Sequence, residues 1–227
     1  MANQQAAGQE SLGQAMNKTE LFLERNGRMM SYVILALFLL AALIYGYRAM
    51  IVAPRAEKAA AMIAQAQSRF EAETPDYELA LLGDANGAGF LEVVEQFGGT
   101  PSGNLAKHYA GICYLRMGDL ENAAAYLAKF SPVSGIPGAI INAQNFGLQG
   151  DVAVEQQDYA KAVQFYSKAV KASDNNLTAP MYLRKAALAE QASGNAAQAA
   201  ALLERLLASY PMSMEAREAE KLLGGAN

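Results

Sequence analysis

The stretch that decides the fold is residues 104–130, which read NLAKHYAGICYLRMGDLENAAAYLAKF. Small residues stand at Gly111 and Ala123, where two helices would have to touch, and larger apolar residues stand on the faces around them. Gly118 supplies a turn, because glycine accepts the left-handed backbone conformation that ends a helix. The stretch therefore predicts an antiparallel pair of helices, with Gly118 and Asp119 between its two arms.

The pattern of the second arm recurs twice further along the chain. Ala162 follows Ala123 by 39 residues, and Ala199 follows Ala162 by 37 residues. Both spacings exceed the ~34 residues of a simple tetratricopeptide unit, so extra residues must lie between the units. Pro211 closes the third unit where the tetratricopeptide pattern has a proline. Residues 104–223 therefore resemble an array of tetratricopeptide repeats.

The most apolar stretch lies near the start of the chain. Nineteen uncharged residues separate Arg28 from Arg48, with tyrosines near both ends: MMSYVILALFLLAALIYGY. As a helix they would extend about 28 Å, close to the thickness of the hydrocarbon core of a bilayer. A core helix seldom runs this long without a polar face, and a cleavable signal peptide has a shorter apolar region of ~7–15 residues. We therefore predict an uncleaved transmembrane signal anchor at residues 29–48.

The basic residues around this segment leave its orientation open. Three flank it on each side: Lys18, Arg25 and Arg28 before it, and Arg48, Arg55 and Lys58 after it. The positive-inside rule compares such flanks, and equal flanks give no direction. An orientation with the amino terminus in the cytoplasm therefore depends on the family resemblance described below.

These segments together predict an all-α protein, in which a single N-terminal transmembrane helix precedes a tetratricopeptide-like α-solenoid of helix pairs. The predicted domains begin with a cytoplasmic tail at 1–28, which is disordered over 1–17, and the anchor at 29–48. A helical stem at 49–76 follows. Residues 77–103 are a partial repeat and connector that includes a loop at 83–89, and residues 104–223 are the array with its capping helix. The stem has Ile63 and Ala66 at helical spacing, which predicts packing against the first repeat. Asn104 is the predicted N-cap of the first full unit. Two prolines and two glycines in residues 131–138 predict that the next first arm begins at about Ala139.

Composition and motifs exclude several function classes. The formal net charge of −4 disfavours nucleic acid as a partner. His108 is the only histidine, so the chain alone cannot form a two-histidine metal site or a serine triad. Cys113 has no cationic neighbour in sequence that would activate its thiol, and core packing is its predicted role. The spacing from Asp84 onwards imitates a calcium loop, but Ala88 lacks the required oxygen. We predict no enzymatic activity, no cofactor and no metal.

With these function classes excluded, the predicted function is protein recognition by the groove that the first arms would line. A groove of mixed apolar and charged surface fits a protein segment better than a small molecule. The repeat register places the following side chains in that groove: His108, Ile112, Leu115, Arg116, Leu148, Asp151, Glu155, Arg184, Lys185 and Leu188.

The whole arrangement of tail, signal anchor, helical stem and repeat array resembles the YfgM family of ancillary subunits of the SecYEG translocon. The runs FLEVVEQFGGTPSGNLAKHYAGICYLRMGDLENAAAYLAKF, starting at Phe90, and KAVKASDNNLTAPMYLRKAALAE, starting at Lys168, are similar to the form of this family found in Bacteroidota. The resemblance implies a bacterial inner-membrane protein with a cytoplasmic amino terminus and a periplasmic array. It also implies three partners: a PpiD-like membrane-anchored chaperone related to prolyl isomerases, the SecYEG translocon and nascent secreted chains.

The first functional hypothesis is thus an accessory adaptor of protein secretion. A scaffold for another envelope assembly, such as the cell-division or outer-membrane export machinery, is the alternative. A membrane-anchored hydrolase subunit that completes its site with a partner chain is a third hypothesis.

Overall fold

The computed structural model describes the backbone of residues 2–224 and the side chains of residues 25–224. The chain divides into two units, Met1–Pro54 and Arg55–Asn227. The structure differs from the predicted disorder of residues 1–17, because its first helix begins at Ala2.

The first unit contains one long helix, α1 (Ala2–Tyr47), followed by a π-helical turn at Arg48–Val52. The helical stretch Arg25–Phe70 is long and apolar enough to cross a membrane, and its most apolar window has a mean hydropathy of 2.2 and contains no buried residue. A helix that exposes apolar side chains on all sides is unfavourable in water and suits a hydrocarbon environment. The π-helical turn, in which the Ala53 amide bonds to the Arg48 carbonyl, was not predicted from the sequence.

The stem helix α2 (Ala53–Phe70) begins two residues before the second unit and is its first element. The elements that follow are α3 (Tyr77–Leu82), β1 (Gly83–Asp84), β2 (Gly87–Ala88) and α4 (Phe90–Phe97). The predicted loop at 83–89 is wrong in detail, because β1 and β2 pair as a short antiparallel hairpin.

The helix pairs of the array follow in sequence. They are α5 (Pro101–Arg116) with α6 (Leu120–Lys129), α7 (Ile136–Glu155) with α8 (Tyr159–Ala172), and α9 (Ala179–Ala192) with α10 (Ala196–Ser209), closed by α11 (Met214–Gly224). Each first arm packs on its own second arm and on the preceding second arm. This is the predicted α-solenoid of helix pairs, and the fold class is confirmed.

Turns of similar construction separate the arms of each pair. Gly118 has a φ of 81°, and the next residue, Asp119, caps α6 by accepting a hydrogen bond of 3.0 Å from the Asn122 amide. Asp158 caps α8 in the same way. The residue in the left-handed position before it is Gln157, with a φ of 61°. A residue with a Cβ is strained there, because the left-handed conformation brings the Cβ close to the following carbonyl.

Two predicted helix starts are wrong. The helix α5 begins at Pro101 with Thr100 as its N-cap, whereas Asn104 exchanges two hydrogen bonds with the backbone of Ser131, of 2.7 and 2.8 Å. The helix α7 begins at Ile136 and includes Pro137. Proline is tolerated in a first turn because amide groups there have no partner within the helix.

The core consists of three clusters of buried apolar side chains. The first joins Ile63 and Ala66 of the stem to Ala106, Ala110 and Cys113 of α5, which confirms the predicted packing of the stem. The second is a small cluster between α6 and α7. The third extends from α7 to α11 and is the largest. Alanines occupy most of the close helix contacts, so the arms approach one another closely.

Candidate protein-binding groove

A groove lies between the first arms α5 and α7, on the side where the turn after α5 opens. Its volume is about 510 Å³. The side chains and backbone that line it belong to Leu115, Arg116, Gly118, Leu120, Leu148, Asp151, Val154, Glu155 and Tyr166. Five of the ten predicted groove residues are therefore together in one open depression: Leu115, Arg116, Leu148, Asp151 and Glu155. We call this depression the first-arm groove.

Apolar and charged groups are separated within this groove. Leu115 and Leu148 are half-buried, and both pack against the small core cluster between α6 and α7. Arg116 and Glu155 are exposed, and among the side chains of residues 25–224 neither forms an ion pair. The groove thus has an apolar floor and two exposed charges of opposite sign that form no ion pair among the described residues.

The third predicted charge of the groove, Asp151, is already engaged within the array. Its carboxylate accepts hydrogen bonds from Lys185 Nζ at 2.7 and 2.9 Å and from the Tyr166 hydroxyl at 2.8 Å. These contacts tie α7 to α8 and α9. Burial, with the nearby Asp151 carboxylate as a second cause, raises the pKa of Tyr166 well above its usual value, so the hydroxyl stays a donor. Asp151 and Lys185 therefore hold adjacent units together.

The remaining predicted residues of the third unit lie outside this depression. Arg184 forms an ion pair of 3.0 Å with Glu218 of α11. Leu188 is exposed on α9 and does not line the first-arm groove. The binding role of these residues stays a prediction.

Two of the predicted groove residues lie in the core instead, and their placement in an open groove was wrong. Only 1% of His108 is exposed, and Ile112 is also buried. The Nδ1 of His108 lies 3.1 Å from the side-chain nitrogen of Asn145 on α7, and its ring packs beside Tyr109 and Phe130. Helix α7 covers the histidine, and desolvation lowers its pKa to about 4. His108 is thus a neutral residue at the junction of two units.

Other residues of the groove were missed by sequence reasoning, although a signal for one of them was present. The 39-residue spacing that aligns Ala123 with Ala162 also aligns Leu115 with Val154, which lines the groove. Leu120 was not predicted, because it belongs to a second arm and reaches the groove only across the turn that follows α5.

Two smaller clefts lie on the other side of α7, between the second arms α6 and α8. Their volumes are about 150 and 220 Å³. Both are lined by Ala128, Gln149 and Phe165. Both are smaller than the first-arm groove.

The residues weighed for chemistry are occupied in structural roles. Asp84 accepts a hydrogen bond from the Asn86 backbone amide, which is the main cause that lowers the pKa of Asp84, and the Arg69 guanidinium at 2.6 Å lowers it further. The contact with Arg69 joins the hairpin to the stem. Cys113 is fully buried, which confirms its predicted core role, and burial raises its pKa to about 12. Within the described part of the chain, no group of three or more His, Cys, Asp or Glu residues could hold a metal ion.

Comparisons with known proteins give no family for this chain. No family model matches it, and no curated protein matches it. Two solved structures to which it is similar are a crystal structure of MamA protein and a crystal structure of MamA, each 17% identical with a TM-score of 0.43. The first similarity covers 65% of this chain and 80% of the other, and the second covers 70% and 89%. The assignment of the fold rests on the helix packing described above.

Proposed function

We propose that this chain is a membrane-anchored adaptor that binds a segment of another protein in the first-arm groove. The observation that carries the proposal is the open groove of about 510 Å³ with an apolar floor and the unpaired charges of Arg116 and Glu155 at its rim. Apolar contact in the centre with charges around it is the usual anatomy of a protein interface. The apolar segment of α1, long enough to cross a bilayer, supports the anchoring.

The groove favours an amphipathic partner segment. Leu115, Leu148 and Val154 offer an apolar strip that follows two neighbouring helices, which suits a helix or an extended chain laid along it. Arg116 and Glu155 would then fix the register of a partner that carries an acidic and a basic side chain at the matching positions. Such charges contribute to specificity and to the rate of association more than to affinity.

We propose binding rather than catalysis for this chain. The solitary histidine is buried and remains neutral until about pH 4, and the solitary cysteine has a protonated, buried thiol. A nucleophile or a general base must be accessible to substrate and poised near the working pH. Neither residue meets both conditions.

The proposed cellular role is that of an accessory subunit of the Sec translocon. The array would lie in the periplasm of a bacterium, and the groove would hold a chaperone related to prolyl isomerases, or a nascent secreted chain, close to the inner membrane. The resemblance of the anchor, stem and array to the YfgM family supports this role. The negative net charge of the chain is consistent with a protein partner and unfavourable for nucleic acid.

A site-specific crosslinking experiment tests the proposal. A photoreactive amino acid would replace Arg116 or Glu155 in the full chain in cells, and the matched control would place it at Gln164, an exposed position of α8 outside the groove. We expect adducts with translocon subunits or an isomerase-like chaperone from the two groove positions and none from Gln164. Adducts with division or export proteins would instead identify the alternative scaffold role. Equal adducts from all three positions would contradict binding in the groove.

The orientation in the membrane needs a separate measurement. An epitope after Asn227 and protease treatment of intact spheroplasts would report the side on which the array lies. We expect the epitope to be digested without lysis. Protection of the epitope until the membrane is opened would place the array in the cytoplasm and would exclude the secretion role.

A further inference from the structure

Large apolar side chains are exposed on the loops that follow the second arms and at the first residues of the helices after them. Their exposed fractions are 46% for Val133, 82% for Ile136, 77% for Leu177, 94% for Met212 and 81% for Met214. Single exposed apolar residues are ordinary on protein surfaces, but a group of large ones indicates an interaction site. None of these residues lines the first-arm groove.

These loops lie along one edge of the array. Because the arms of each pair are antiparallel, every second arm ends and every next first arm begins on the same edge. Hydrogen bonds show neighbouring loops in contact: Asn104 at the start of α5 bonds to Ser131, and the Tyr210 hydroxyl bonds to the Asp174 carboxylate. We call residues 131–136, 173–178 and 210–214 the loop edge.

The opposite edge has a different composition. It consists of the turns within the pairs, at residues 117–119, 156–158 and 193–195, and we call it the turn edge. Its capping side chains are Asp119 and Asp158, and Asn195 stands at the third turn. Met117 is its only large apolar side chain that is exposed in the described structure. The two edges of the same array thus differ in polarity.

Basic residues accompany the apolar side chains of the loop edge. Lys129 lies in the last turn of α6, and Lys171 lies in the last turn of α8. The carboxylate of Asp174 on this edge is bonded to the Tyr210 hydroxyl, and Lys129 Nζ lies 4.1 Å from the centre of the Tyr126 ring. Exposed apolar side chains next to lysines are typical of segments that lie in the interface of an anionic membrane.

The chain enters the array at this same edge. Arg55, seven residues after Arg48 in the sequence, donates a hydrogen bond of 2.7 Å to the carbonyl of Gln96 at the end of α4. Its guanidinium also lies 5.8 Å from the centre of the Phe97 ring. Because successive helices run in opposite directions, the loop from α4 to α5 lies on the same edge as the loops between the later units. The start of the stem helix α2 at Arg55 therefore lies at the loop edge.

We propose that the loop edge contacts the lipid headgroup region of the membrane in which the chain is anchored. Ile136, Leu177 and Met212 enter the interface, and Lys129 and Lys171 bind anionic headgroups. The contact leaves the turn edge and the mouth of the first-arm groove accessible to a partner. The inference rests on the proposed membrane anchoring, and the experiment below distinguishes failure of the anchor from failure of the edge contact.

Fluorescence quenching in vesicles tests the contact on the full chain. Single cysteines at Ile136, Leu177 or Met212 would carry an environment-sensitive fluorophore, since the native Cys113 is fully buried and its thiol does not react at neutral pH. The vesicles contain phosphatidylcholine and phosphatidylglycerol, with a nitroxide quencher near the top of the acyl chains. We expect the quencher to remove about half or more of the fluorescence at these positions. A matched variant on the turn edge, Met117→Cys, should keep its full fluorescence.

Three further variants separate the outcomes. In vesicles whose nitroxide lies deep in the acyl chains, a fluorophore at Leu39, in the middle of the apolar segment, should be strongly quenched, and no quenching there would overturn the anchoring and the edge contact together. If the fluorophore at Leu39 were quenched but those on the loop edge and the turn edge were quenched equally, the edge contact alone would be overturned. Lys129→Glu with Lys171→Glu should at least halve the quenching at Ile136, whereas Lys161→Glu, near the turn edge, should not change it. Quenching by iodide in the aqueous phase covers the remaining outcome. If the loop-edge fluorophores were protected from iodide only after a membrane-protein extract was added, a protein would cover this edge, and the lipid contact would be overturned.

Discussion

Acid should destabilise the array through a single residue. His108 is 1% exposed, and its neighbours are Tyr109, Phe130, Asn145 and Gln144 with no carboxylate among them. Its pKa of about 4 in the folded chain lies below the usual value of 6.5. The unfolded chain therefore binds a proton that the folded chain rejects, so the free energy of unfolding falls as the pH decreases from about 6.5 towards 4.

The size of the effect follows from the two pKa values. One unit of pKa difference corresponds to about 1.4 kcal/mol, so the full loss is about 3 kcal/mol at pH 4 and below. Between pH 7 and pH 5 the loss is about 2 kcal/mol. This is a large share of the 5–15 kcal/mol by which native proteins are usually stable.

The assay is urea unfolding of the full chain in mild detergent, followed by far-ultraviolet circular dichroism at a series of pH values. Because the chain has one histidine, the change between pH 7 and pH 5 is nearly free of other side chains. The variant His108→Gln keeps a polar side chain that can accept a hydrogen bond from Asn145 but has no titrating ring. We expect its unfolding free energy to vary much less over this range. Parallel pH profiles for the two proteins would refute the reasoning, whatever their absolute stabilities.

Three substitutions test the packing and turns of the array. Gly150→Ala should cost about 1–3 kcal/mol, because the new methyl group would stand 2.5 Å from a ring carbon of Tyr166. Lys185→Met should cost about 1 kcal/mol, because it leaves the half-buried carboxylate of Asp151 without its cation. Gln157→Gly should stabilise the array by about 0.5–1 kcal/mol, because glycine removes the strain of a left-handed residue. Urea unfolding measures all three.

Each of these substitutions has a control in the same array. Gly99→Ala adds a methyl group with no neighbour within 4 Å and should be close to neutral, so a similar cost at both glycines would contradict the packing argument. Lys161→Met removes an exposed lysine without an ion pair among the described residues, and an equal loss there would show that the Asp151 contact is unimportant. Gln156→Gly changes a residue at a φ of −80° and should destabilise rather than stabilise.

The sequence predicted most of the array, because its helix contacts depend on local features. Ala123 and Ala162 mark second arms that pack closely, and Gly118 marks a turn with a positive φ, so the order of helix pairs could be read without a structure. The starts of α5 and α7 could not be predicted, because a proline in the first turn of a helix and a proline in a loop look alike in a single sequence.

The candidate site was predicted in part for a similar reason. Leu115 and Glu155 lie in the groove because they occupy regular positions on helices whose faces the repeat fixes. His108 also occupies such a position, but its burial depends on Asn145, which is 37 residues away and belongs to the next unit. The longer linker and the 20-residue helix α7 bring that amide over the histidine. Contacts that depend on how two units meet do not follow from the pattern within either unit.

The charges at the rim of the first-arm groove give the most direct test of protein recognition. The double variant Arg116→Glu with Glu155→Lys reverses both charges on exposed side chains that form no ion pair in the described structure, so folding should be unchanged. The measurement is the amount of partner that copurifies with the full chain in mild detergent, compared with Gln164→Arg. We predict that the double variant recovers about tenfold less partner at unchanged stability and that Gln164→Arg recovers as much as the native chain. Equal recovery by all three proteins would contradict the account.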